Sequence, residues 1–144
     1  VDATRHPGAI LERRERKSLM RIAGIVARLL LGLMFTVFGL NGFLHFLHQP
    51  PPSGLAMQYF MVMSQSHIMM FVFAVQLLCG LLLLAGVFVP LALTLLGPVI
   101  VNILLFHITM APAGIGPGLL ATVLWFIAFL SVFASFRPIL QAKA

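Results

Sequence analysis

Polarity divides this chain before any motif does. Residues 1–21 hold all three acids and six of the nine bases, whereas from Ile22 to Phe136 the only formal charge is Arg28. The long uncharged stretch breaks into four apolar runs. The first, Ile22 to Leu47, predicts a helix of about 25 residues, which at nearly 38 Å crosses a hydrocarbon core of about 30 Å with some tilt. It ends at "QPPPSGL" (49–55), where consecutive prolines lack backbone donors and force extended geometry. "AMQYFMVMSQSH" (56–67) is too polar for a span and predicts a short interfacial helix on the outer side, with Tyr59 at headgroup level. The second run is Ile68–Val89, followed by a tight turn at Pro90. The third is Leu91–Met110, with a bend expected at Pro98. After an outer loop, "APAGIGPG" (111–118), the fourth run Leu119–Phe136 stops at Arg137-Pro138.

The pattern predicts an all-α integral membrane protein, a four-transmembrane-helix antiparallel bundle with one short extracytoplasmic interfacial helix. Residues 1–21 form a basic cytoplasmic tail, with a short surface helix through "ILERRERKSLMRIAG" as one form for it. Residues 22–138 form the transmembrane domain and 139–144 a cytoplasmic C-terminal tail.

Composition agrees. Of 144 residues, 61% are hydrophobic and 8% charged, and the mean hydropathy is +1.10. A soluble domain carries about 25% charged residues, and so few charges could not cover a water-facing surface of this size. The net charge of +6 is not a nucleic-acid footprint, because no aromatic residues interleave the clustered bases. It reports orientation instead. Arg5, Arg13, Arg14, Arg16, Lys17 and Arg21 precede the first run, Arg28 lies near its inner end, and Arg137 and Lys143 follow the last. The outer loops have no Lys or Arg, so the positive-inside rule places both termini in the cytoplasm. The basic lead and a first run longer than an ordinary signal-peptide core argue against a secretory leader. A lone Cys79 permits no intrachain disulfide.

Two stretches resemble the DoxX-like family of small bacterial membrane proteins: "ARLLLGLMFTVFGLNGFLHFL" (27–47) and "VQLLCGLLLLAGVFVPLALTLLGPVIVNILLFHITMAPAG" (75–114). The resemblance covers about residues 22–136. It implies a four-helix bundle in the bacterial inner membrane, within a family associated with thiosulfate:quinone oxidoreduction and with redox or oxidative-stress complexes. Members often carry Glu where this chain has Gln76, and the exchange removes an ionisable group from mid-membrane.

Intramembrane polar residues each require an explanation, because an uncompensated polar group is costly in hydrocarbon. On a helical wheel Gly32, Gly39 and Gly42 share a face suited to close packing, against another helix or a partner. Asn41, His45 and His48 fall on a different face. His45, His48, His67 and His107 all lie at outer helix ends, and three readings of them are open. In the first they bond to loops and headgroups, and the protein is a non-catalytic accessory subunit of a membrane redox or oxidative-stress assembly, associating with other subunits or with itself. In the second a quinone headgroup binds in a shallow outer pocket, held by His45 or His107 with Asn41, Gln76 or Asn102 in support. That pocket requires His45 and His107 to approach each other beneath residues 56–67. In the third His48, His67, Met57, Met61 and Met63 bind copper or haem. Gln76 and Asn102 are most simply interhelical hydrogen-bond partners, and Trp125 a packing residue. "GIGPG" (114–118) lacks the lysine of a phosphate loop, and no carboxylate beyond Glu15 is present for hydrolytic chemistry.

Overall fold

A computed structural model describes residues 7–48 and 50–136. Helix α1 runs unbroken from Pro7 to Leu44. Its 38 residues span about 57 Å. The charged segment is therefore, from Pro7 onward, helical and continuous with the first apolar run. The reason is local: Glu, Arg and Lys are good helix formers, and no proline parts them from the apolar run. The expected stop at Leu47 moves back to Leu44. His45 adopts a left-handed conformation (φ 52°) and its N–H donates to the Asn41 carbonyl at 2.8 Å, which ends the helix. The Arg137-Pro138 stop and the tail 139–144 lie outside the described residues.

Helix α2 spans Gly54–Gln65, directly after the prolines, and α3 spans Ile68–Ala85. The turn into α4 (Val89–Thr109) is made by residues 86–88, ahead of Pro90. There the Gly86 and Val87 N–H groups both donate to the Leu82 carbonyl, at 3.0 and 3.2 Å, and Gly86 takes φ 74°. Pro90 sits in the first turn of α4, where its missing N–H has no partner to lose. A 3₁₀ turn, Pro112–Gly114, leads into α5 (Ile115–Val132). The last helix thus begins inside the segment expected as a loop.

Helices α1, α3, α4 and α5 are each long and apolar enough to cross a membrane. They pack in a ring, α1 on α3, α3 on α4, α4 on α5 and α5 back on α1, so α1 and α4 occupy opposite corners. Alanine and leucine fill the centre, with Ala27 and Leu31, Leu83, Leu93 and Leu96, and Ala121 and Ala128 all buried. The outward faces stay apolar, and Leu33, Phe71, Val101 and Phe126 are each more than half exposed.

The closest seam joins α1 to α3. A methyl group added at Gly39 would lie 2.6 Å from the Leu77 backbone nitrogen, and one at Gly80 would lie 2.6 Å from that of Thr36. Gly32 meets Leu83 and Leu84, and Gly42 meets the Phe73 ring. The glycine face of α1 is therefore filled from within the chain. At the seam's end the Arg28 guanidinium lies against Gly86, beside the carbonyl end of α3, where a positive charge is favoured.

Candidate functional site

The densest polar and aromatic grouping lies where side chains of α2, a helix packed on α3, reach the C-terminal half of α4. Ala56 of α2 is buried, and the Asn102 side-chain amide donates to the Tyr59 hydroxyl at 3.2 Å. Phe106 packs against both Tyr59 (ring centroids 5.3 Å apart) and Phe60 (5.4 Å, edge to face). The neighbouring His107 imidazole meets the Phe106 ring edge-on at 5.2 Å. These contacts follow from sequence position. Asn102 and Phe106 are one turn apart on α4, and Tyr59 and Phe60 are adjacent on the helix that covers them.

His107 is half-buried, and its Nδ1 lies 2.8 Å from the Ile103 carbonyl. A carbonyl only accepts, so Nδ1 is the donor in this bond. The Nε2 side of the ring faces Gly114, where an added methyl would lie 3.0 Å away. Glycine there is what lets the 3₁₀ turn close over the imidazole.

The remaining predicted residues are not gathered at this point. The Asn41 side-chain oxygen accepts from the Leu47 N–H at 2.6 Å, so it caps the end of α1. His45, beyond that cap, is exposed, as are His48 and His67. His67 occupies a left-handed position (φ 61°) at the junction of α2 and α3. His45 follows α1 and His107 belongs to α4, and these two helices stand at opposite corners of the ring. Met57 and Met61 point outward, and Met63 is half-buried. Among the described residues no three His, Cys, Asp or Glu side chains converge as a metal site. Gln76 is 5% exposed, within the bundle, and among the described residues its amide has no hydrogen-bond partner. Asn102 is on the surface of α4 and bonds to α2, well separated in role from Gln76.

Residue-by-residue reading missed two features. Tyr59 holds Asn102, a pairing that the headgroup assignment of Tyr59 concealed. Trp125 donates its indole N–H to the Leu93 carbonyl at 2.8 Å and stacks on Phe129 at 5.0 Å. Pro98, on α4, cannot donate to the Thr94 carbonyl, and the indole bonds not to that carbonyl but to its neighbour at Leu93, tying α5 to α4. A proline and a tryptophan in adjoining apolar runs are the only sequence signal for that bond.

Two clefts open on the surface. One, of about 370 Å³, is lined by Phe60, Met61, Ser64 and Gln65 of α2 and by Met69 in the first turn of α3. The other, of about 330 Å³, lies at the far end of the molecule between α1 and α5. Neither includes Asn41, His45, Gln76, Asn102 or His107.

Comparison with protein-family models, curated proteins and solved structures returns no match for this chain.

Proposed function

We propose that this chain is a four-span inner-membrane protein of the DoxX-like type, with both termini in the cytoplasm, serving as a structural subunit of a membrane redox or oxidative-stress assembly. In this reading the four long helices form an antiparallel transmembrane bundle, and α2 lies in the outer interface. The observation that carries it is the use made of the polar side chains. Asn41 caps α1, Asn102 holds α2 through Tyr59, Trp125 ties α5 to α4, and the His107 ring bonds to its own helix. Each such bond holds the scaffold together. The apolar outer faces supply the surface that lipid and neighbouring subunits require.

Single cysteines at 53 and 115, in a Cys79→Ala background, should react with a membrane-impermeant thiol reagent added from outside the cell. Labelling only from the cytoplasmic side would overturn the orientation. Gentle detergent extraction should bring down a larger assembly, and a stable isolated monomer under the same conditions would overturn the subunit reading.

One observation favours a second reading, a quinone-interacting subunit: the Tyr59, Phe60 and Phe106 rings lie beside Asn102 and the His107 imidazole. Quinone reduction by the purified protein with a defined electron donor would favour it. Unchanged quinone absorbance in that assay would remove it.

A further inference from the structure

We propose that the cleft between the charged turns of α1 and the end of α5 binds the headgroup of an anionic phospholipid. The inference rests on the membrane reading above. The cleft, about 330 Å³, is lined by Arg16, Lys17, Met20 and Arg21 from α1 and by Leu130 and Ser131 from α5. Of the described residues, three cations face it and no carboxylate does. Among the described residues Arg16, Lys17 and Arg21 have no ion-pair partner, although Glu12 and Glu15 lie on the same helix. Their charge is thus available to an outside anion.

The walls are fixed before any ligand arrives. α1 passes through this region without a break, and Gly24 packs so closely on Ser131 that an added methyl would overlap its side chain. The Ser131 hydroxyl donates to the Ala128 carbonyl at 2.6 Å, which pins that side chain to its own helix. Depth and rim select the kind of anion. Arg21 immediately precedes the apolar run that begins at Ile22, so the cations stand at the level of the lipid phosphates. Met20 and Leu130 are 55% and 56% exposed. A soluble anion would leave these two side chains in water, whereas a lipid covers them with its glycerol and upper acyl chains while its phosphate meets the cations. Basic pockets between helices at the membrane surface suit that pairing.

Delipidated full-length protein in detergent, titrated with phosphatidylglycerol or phosphatidylcholine and read by native mass spectrometry, tests the site. Wild type should prefer the anionic lipid by about tenfold or more. R16Q/R21Q should abolish the preference, while R13Q/R14Q, which removes equal charge about one turn away, should keep most of it. L130W should weaken binding by filling the cleft with the charge unchanged, which guards against misfolding of the charge variant. Equal binding of the two lipids would overturn the proposal, as would equal losses in the two charge pairs. Displacement of the lipid by inorganic phosphate would mark a small-anion site and overturn it too. Release of the protein from membranes by an alkaline carbonate wash would instead remove the membrane reading.

Discussion

The α1–α3 seam and the α4–α5 seam hold their helices by different means. On the first, glycines bring backbone against backbone, with Gly39 at Leu77 and Gly80 at Thr36. On the second, a methyl added at Gly97 would find ordinary van der Waals room, 3.6 Å from the Trp125 ring, and the indole bonds to the Leu93 carbonyl. In lipid, apolar burial does not draw helices together, so packing and interhelical hydrogen bonds must do it. A seam built on close approach depends on what is missing from its residues, and one added carbon spoils it. A seam built on a polar bond depends on a single side chain, and a larger neighbour is tolerated.

The largest expected effect breaks the first seam. Gly80→Ala puts a methyl 2.6 Å from the Thr36 backbone nitrogen and 2.9 Å from the Gly32 carbonyl oxygen, and neither backbone can yield cheaply. The loss should be about 3 kcal/mol in reversible unfolding from mixed micelles. A neutral result would mean that the two helices do not meet in this way. Next comes Trp125→Phe, which keeps an aromatic ring over Phe129 but removes the donor to Leu93. It should cost about 1 kcal/mol by the same measurement, and a loss as large as that of Gly80→Ala would erase the contrast between the seams. Tyr59→Phe, which removes the exposed hydroxyl bound by Asn102, should cost about 0.5 kcal/mol. A double-mutant cycle with Asn102→Ala isolates that coupling. The smallest effect is expected at Gly97→Ala. Its methyl fits, and the gain in helix propensity should leave stability unchanged or higher by about 1 kcal/mol. Destabilisation there would show the second seam to be as tight as the first.

The four apolar runs were legible because length and hydropathy alone make a helix able to span lipid, and neither quantity depends on neighbours. Their ends were less so. His45 closes α1 in a left-handed conformation that histidine seldom takes, and glycine, which usually marks such a stop, stands three residues earlier at Gly42. Gly86 does mark the end of α3, and reading the turn at Pro90 placed it too late. The candidate site was the least legible part. A helical wheel gives directions on one helix, but it does not say which helix stands opposite. The shared depth of His45 and His107 therefore revealed nothing about the diagonal that separates α1 from α4. Asn102 had a visible need for a partner, yet its partner is 43 residues away on a helix too short and polar to cross the bundle.

A consequence of the unbroken α1 remains for the mechanics of the molecule. A rod of about 57 Å with no joint cannot absorb a push at its charged end by bending there. A tilt of only 5° would swing one tip by about 5 Å relative to the other. Because the same rod forms one side of the glycine seam, such a swing would be felt as shear against α3, where the clearances are smallest. Whatever grips the first turns of α1 thereby holds a handle on the packing of the whole bundle.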